Sequence, residues 1–365
     1  MDNIHNFHPL YTTNKNMEVK SMKQNMIIQI IICWVCMFFV MGHFHSTHAE
    51  TIYSENFENG LGDWDNGEGI WQVGKAESGP GACYEGNNCS ATVLNGKYDA
   101  YKDSRFKSPS IRLPEIKGNE EIYLRFWHWF SYSSHDKAYV QVKEYDDEAK
   151  QWNEWVTISD SIHQDSVVWS PLKLDLSSRA GKKIQFCLYH IAGRDSVGRS
   201  SESTGWYVDN IEINLYTPDI NWRMKSFENG WEDFLSNRGI WEIGSPKSGP
   251  EQCYSGNNCA GTHLKGNYAA YTDSILISPV FKIPFLSVDQ EAKIRFWHWF
   301  SYSSYDSGII KIKILDEKSK WSEWIEISGS ITGNSSVWVR KTLDITNYSG
   351  KKAILGFFIM LEEIQ

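Results

Sequence analysis

Arg125-Phe126-Trp127-His128-Trp129-Phe130-Ser131-Tyr132-Ser133-Ser134 occurs twice, and its second copy, unchanged, fills residues 295–304. A decapeptide with two tryptophans does not recur by chance, so the chain carries an internal duplication. Its aromatic composition, with neither Gly nor Pro, predicts a β-strand. Read with period two, Ile122, Leu124, Phe126, His128 and Phe130 share one face, against Tyr123, Arg125, Trp127, Trp129 and Ser131 on the other. The second copy repeats this as Ala292, Ile294, Phe296, His298 and Phe300 against Lys293, Arg295, Trp297, Trp299 and Ser301. The first face is apolar and is expected to be core. The second is amphipathic and is the place to look for a ligand.

Working outward, every short apolar run is bounded by Gly, Asn, Asp, Ser or Pro, and none holds a helical period. Runs at residues 53–57, 69–74, 98–101, 105–113, 138–145, 155–159, 168–174, 183–190 and 205–213, together with the central one, give eight to ten predicted strands. That density predicts an all-β fold, two tandem jelly-roll sandwiches. Phe57-Glu58-Asn59-Gly60, Gly69-Ile70-Trp71 and Ser78-Gly79-Pro80 return as Phe227-Glu228-Asn229-Gly230, Gly239-Ile240-Trp241 and Ser248-Gly249-Pro250. The expected organisation is a signal peptide over 1–49, a sandwich over 50–216, a linker over 217–221 and a second sandwich over 222–365. The closing run at 205–213 has no second copy before Gln365, so the second sandwich is expected to lack its closing strand.

The signal segment is read from Lys15, Lys20 and Lys23 ahead of an apolar run over 26–42, with Thr47-His48-Ala49 as the cleavage site. An uncleaved membrane anchor is the rival reading and the only membrane link the sequence offers. Export predicts oxidised cysteines. Cys83 and Cys89, and again Cys253 and Cys259, have five residues between them and are expected to pair locally. Zinc would need a second ligand pair that neither copy has nearby. Cys187 has no counterpart and is expected to be a buried free thiol. The net charge of −9 argues against a nucleic-acid partner.

Phe57-Glu58, Ser108-Pro109, Leu124-Arg125-Phe126-Trp127-His128-Trp129, Lys183-Ile184-Gln185-Phe186 and Trp206-Tyr207-Val208-Asp209-Asn210-Ile211 stand in an order that resembles the MAM domain and its bacterial relatives. The Cys-x5-Cys loop departs from the usual MAM arrangement and points to a bacterial relative. The resemblance implies a concanavalin-like jelly roll whose first and last strands lie side by side, and a secreted or surface protein that binds or adheres. It also implies a structural calcium ion where those strands meet. Glu58 and Asp209 stand at these positions, with Asp103 as a third carboxylate. The plainer alternative makes Glu58 a turn cap and Asp209 a solvated strand residue.

For a ligand, Trp127, Trp129 and Tyr132, with Trp297, Trp299 and Tyr302, are candidates for a platform on which sugar rings stack. Plain packing, with Arg125 over Trp127, is the competing reading. His128 and His298 are read as core histidines hydrogen-bonded to backbone, because His135, His163 and His190 become Tyr305, Thr332 and Ile359 and leave zinc too few ligands. Asp136, Glu154 and Asp175 recur as Asp306, Glu323 and Asp344, yet no catalytic motif accompanies them. The sequence therefore predicts a non-catalytic binding protein for an extracellular glycan or a cell-surface or matrix protein. The alternative is a secreted hydrolase or its accessory region. Two similar units in series suit binding by avidity.

Overall fold

The computed structural model describes residues 49–361 except Glu68, Ser196, Arg199, Ser200, Trp222, residues 269–272, Lys318 and Ser319. The expected signal segment, with Cys33 and Cys36, lies outside the described residues. The described residues form strands and two short 3-10 turns, Ser177–Arg179 and Thr346–Tyr348.

The first repeat opens with β1 (Ala49–Glu55), β2 (Gln72–Gly74), β3 (Cys89–Ala91), β4 (Ser104–Lys107) and β5 (Ile111–Arg112). The repeated decapeptide lies in β6 (Glu121–Ser131), followed by β7 (Lys137–Asp146), β8 (Gln151–Trp152) and β9 (Val156–Thr157). Then come β10 (Ser170–Asp175), β11 (Lys183–Ile191) and β12 (Gly205–Tyr216). They make a two-sheet sandwich. One sheet runs β10-β6-β12-β3-β2, with β1 also on β12; the other runs β4-β11-β7-β8, with β5 on β11 and β9 on β7.

The closing strand β12 organises the first sheet. It pairs with β6 along its length on one side, and on the other with β1 through its C-terminal half and β3 through Tyr207 and Val208. First and last strands are side by side, as the resemblance implies. Residues 98–101, expected as a strand, form a turn instead. Tyr98 is drawn into the core, where its hydroxyl donates to Asp136. A hydrogen bond to a buried carboxylate outweighs the strand preference of one tyrosine.

Alternation along β6 is complete. Ile122, Leu124, Phe126, His128 and Phe130 are all buried, and every residue between them is half-exposed. Their neighbours from the facing sheet include Phe106, Val140, Val142, Ile184, Phe186 and Leu188. His128 is in the core as expected but not hydrogen-bonded to backbone. Neither ring nitrogen has a partner, and the rings of Phe126, Phe130 and Trp206 surround it. Burial pushes its pKa down to about 3, so the ring is neutral. Cys187 is a buried free thiol, pushed up to about 12 by the same loss of water.

The second repeat contains β13 (Leu235–Ser236), β14 (Trp241–Gly244), β15 (Cys259–Thr262), β16 (Ser274–Ile277) and β17 (Phe281–Lys282). Its decapeptide begins in β18 (Lys293–His298), followed by β19 (Asp306–Leu315), β20 (Ile325–Glu326), β21 (Val339–Asp344) and β22 (Lys352–Leu361). Its second sheet is whole, in the order β13-β16-β22-β19-β20. Its first sheet is two separate pairs, β14-β15 and β18-β21. Residues 223–226, at the place of β1, form no strand. The two repeats touch: the N–H groups of Val167 and Val168 donate to the Gly239 carbonyl at 2.6 and 2.8 Å. A side chain at Gly239 would strike the Val168 carbonyl, its Cβ only 2.1 Å away.

Candidate functional site

The disulfides predicted from spacing are both present, Cys83–Cys89 and Cys253–Cys259, with Cα–Cα distances of 5.6 and 5.7 Å. Each closes a loop, Cys83-Tyr84-Glu85-Gly86-Asn87-Asn88-Cys89 or Cys253-Tyr254-Ser255-Gly256-Asn257-Asn258-Cys259, that folds over the amphipathic face of the central strand. Glu58 holds the first loop: its Oε1 accepts the N–H groups of Asn87 and Asn88 at 2.8 and 2.7 Å. Glu228 does the same for Asn257 and Asn258 at 2.9 and 2.8 Å. These backbone donors, Asn88 first, hold the Glu58 carboxyl below its ordinary range. A tryptophan fixes the other side of each loop. Trp169 Nε1 donates to the Ala82 carbonyl at 3.2 Å, and Trp338 Nε1 to the Gln252 carbonyl at 3.1 Å.

Loop and strand meet in a ring stack. Tyr84 lies on Trp127 with ring centroids 3.8 Å apart and planes 10° apart; Tyr254 lies on Trp297 at 3.9 Å and 12°. Trp169 and Trp338 complete each trio at 6.2 and 6.4 Å from the tyrosine. Tyr84 is 38% exposed, Tyr254 49% and Trp297 40%. In the first repeat the Trp127 ring also meets the edge of Trp231 from the second repeat, at 6.0 Å. The pair in the second repeat is therefore the more open.

The six tryptophans and tyrosines singled out in the sequence do not form one platform. Trp127 and Trp297 carry the stacks. Trp129 packs edge-on against Tyr207 beneath the disulfide loop, in a cluster with Ala76, Cys89 and Ala91. Gly79 and Gly249, both at positive φ, lie so close to Trp129 and Trp299 that a Cβ would come within 2.9 Å of either ring. Tyr132 belongs to the core: it is buried, and its hydroxyl lies 3.2 Å from His190 Nδ1. Period two explains this correction, since residue 132 shares the face of Phe126, His128 and Phe130. Tyr302 is half-buried beside Tyr268 and Phe300. The residues missed are Tyr84 and Tyr254. Their signal was present, an aromatic kept inside both disulfide loops.

Asp209 is not a solvated strand residue. It is buried, and its Oδ2 and Oδ1 accept the N–H groups of Glu85 and Asn210 at 3.1 and 2.8 Å. Burial above all, with the nearby Glu58 charge, still raises its pKa to about 6. Asp103 stands apart: it accepts from Ala192 N–H at 3.0 Å and faces the Tyr189 hydroxyl. No group of three or more His, Cys, Asp or Glu side chains comes together as a metal-ligand set among the described residues. Asp209 feels the charge of Glu58, while Asp103 makes its contacts elsewhere. Other repeated carboxylates tie loops. Asp136 accepts from Tyr98, Ser133 and Gly193, Asp306 from Tyr268 and Ser303, and Asp175 and Asp344 from the N–H two residues on.

No family model matches the chain. Over 134 residues it is 29% identical to Bacillopeptidase F of Bacillus subtilis (strain 168), a match covering 37% of this chain and 9% of that protein. The chain thus aligns with under a tenth of the length of this relative. Among solved structures it is similar to the N-terminal CBM22-1–CBM22-2 tandem domain of Paenibacillus barcinonensis Xyn10C, at 15% identity and a TM-score of 0.30, covering 87% of this chain and 92% of that one. A Clostridium thermocellum Xyn10B structure with CBM22-1 and GH10 modules matches at 11% identity and a TM-score of 0.31, covering 49% and 29%. Superposition at this level is slight, and function rests on the residues of this chain.

Proposed function

We propose that the protein is an extracellular, non-catalytic glycan-binding protein of two MAM-like jelly rolls, in which each repeat offers a Tyr-on-Trp stack to a sugar ring. The observation that carries this reading is the duplication of the stack, at 3.8 and 3.9 Å, with the tyrosine exposed in both copies. A core tyrosine needs no such exposure. The Trp beneath it holds the ring flat, and the disulfide loop limits its freedom, so little entropy is lost when a pyranose stacks on the outer face. Two such sites on one chain act by avidity. The disulfides support an oxidising, extracellular setting.

The test is a glycan array probed with the wild-type chain, Tyr84→Ala, Tyr254→Ala and the double variant. Each single variant should lower the signal, Tyr254→Ala more because its stack is more open, and the double variant should abolish it. Unchanged glycan binding by the double variant refutes the reading. A second reading, an accessory region of a secreted hydrolase, is supported by the partial match to Bacillopeptidase F. Co-purification with a hydrolase, together with a silent glycan array, would favour it.

A further inference from the structure

The outer face of the second sheet of the first repeat has no part in the ring stacks, which lie on the first sheet. Strand register sets its side chains in rows. Lys107, Cys187, Gln141 and Thr157 stand opposite one another across β4, β11, β7 and β9. Arg105, Tyr189 and Tyr139 form the row beside them. Cations and aromatic rings interleave on this face. The Arg105 guanidinium lies 3.7 Å from the centre of the Tyr189 ring, and Gln141 Oε1 accepts its Nε at 3.1 Å. Lys143 Nζ lies 4.8 and 4.7 Å from the rings of Trp152 and Trp155. A groove of about 230 Å³ opens beside Arg105, Lys107 and Tyr189.

Charge on this face is unbalanced. Lys107 pairs with Asp65 at 3.0 Å, but Arg105 and Lys143 form no ion pair among the described residues. Asp103, which also lines the groove, is held by the Ala192 N–H at 3.0 Å. Arg105, Lys107 and Lys143 all act on the Cys187 thiol, each lowering a pKa that burial raises. Three cations therefore converge on one spot of a chain whose net charge is −9. The fold does not require them. In the second repeat Ile275 and Ile277 take the places of Arg105 and Lys107, and pair with β22 as Arg105 and Lys107 pair with β11. Trp324 covers the centre of that face, so close to Gly356 that a Cβ would meet its ring at 2.9 Å. One copy of this sheet presents arginine and lysine where the other is apolar.

We propose that the outer face of β4, β11 and β7 in the first repeat binds an acidic glycan, its anionic groups on Arg105, Lys107 and Lys143 and its sugar rings against Tyr189, Trp152 and Trp155. Guanidinium and ammonium groups make charge-assisted hydrogen bonds to a carboxylate or sulfate. The three rings are half-exposed and give pyranoses an apolar surface. An acidic peptide would match the cations but leave the rings unused. The site is on the opposite sheet from the Tyr84–Trp127 stack and does not depend on it.

The test is isothermal titration of the full chain with polygalacturonate and with dextran sulfate, and with fully methyl-esterified polygalacturonate as the uncharged control. The expected result is saturable binding to at least one acidic polymer, weakening as salt is raised because the contacts are ionic. Which of the two binds distinguishes carboxylate from sulfate recognition. Arg105→Ile combined with Lys107→Ile, and separately Lys143→Gln, should each weaken binding at least about tenfold, as expected when charge-assisted hydrogen bonds are lost. Unchanged melting curves show that the variants fold; should the double variant unfold, Lys143→Gln decides. No binding to either acidic polymer, equal binding of the methyl ester or of poly-glutamate, or undiminished affinity in a folded variant overturns the proposal. The ring stacks are tested through Tyr84 and Tyr254 and this site through Arg105, Lys107 and Lys143, so either can fail alone.

Discussion

Replacing Asp209 with Asn changes how the stability of the first repeat depends on pH, and the amount follows from the site. Asp209 is fully buried where the β12 register slips, and it accepts backbone N–H groups, those of Glu85 and Asn210 among them. Lost hydration, with Glu58 nearby, raises its pKa from 3.8 to about 6. The folded state then binds the proton more tightly than the unfolded chain. Stability from this group is full below the unfolded value near 4 and is lost as pH rises through about 6. A shift of about two pKa units corresponds to about 3 kcal/mol. Asn cannot ionise, but its amide places a donor where one backbone N–H needs an acceptor, at a cost of about 1–3 kcal/mol at every pH. Urea unfolding at pH 4 to 8, followed by tryptophan fluorescence, should show Asp209→Asn less stable than wild type at pH 4. Between pH 4 and pH 8 the difference should move by about 2–3 kcal/mol in favour of the variant, since the unfolded carboxyl is already partly ionised at pH 4. Titrating groups that do not act on Asp209, His128 included, are common to both proteins and cancel in the difference, whereas Glu58, whose charge helps raise Asp209, is part of the effect measured. Parallel pH profiles would refute the assignment of a raised Asp209.

His128 acts in the opposite sense: its pKa of about 3 means that the unfolded chain takes up the proton first, so stability falls as pH drops from about 6.5 toward 3. His128→Leu should flatten that acid loss in the same urea series; an unchanged acid limb would contradict it. Phe126→Ala should cost about 3–5 kcal/mol as a core cavity, whereas Phe296→Ala, at a half-exposed site, should cost about 1–2; equal costs in urea would mean that the second sheet pair is better covered than described. For the same reason limited proteolysis should trim the second repeat back toward residues 217–221 while residues 50–216 survive, and equal resistance would contradict it. Reduction, or the pair Cys83→Ser and Cys89→Ser, should cost about 2 kcal/mol for so short a loop; peptide mapping that finds free thiols in exported protein would remove the basis of that figure. Calcium at Glu58 and Asp209 is a proposal with a direct check: millimolar calcium should raise the melting temperature of wild type at pH 8 but not that of Asp209→Asn, and no shift in either leaves the two carboxylates as loop ties alone.

The duplication, the all-β class, the two disulfides and the inward face of β6 were legible in the sequence because they depend on local periods and spacings. Alternation along a strand places every second side chain inside, whatever the strand's neighbours, and a Cys-x5-Cys loop brings its own ends together. Tyr132 followed that rule too, and its assignment to the outer platform broke the period that its neighbours obeyed. Only the tertiary structure decided which aromatic faces solvent. Trp127 and Trp129 are equivalent by period, but the loop over 76–94 lays Tyr84 on one and rests Gly79 against the other. It also decided that Asp209 is buried and that Asp103 stands elsewhere, since a carboxylate's surroundings come from strands distant in sequence. That the strand over 205–216 is the inner one of its sheet, with β6 on one side and β1 and β3 on the other, follows from strand order, which no local pattern encodes.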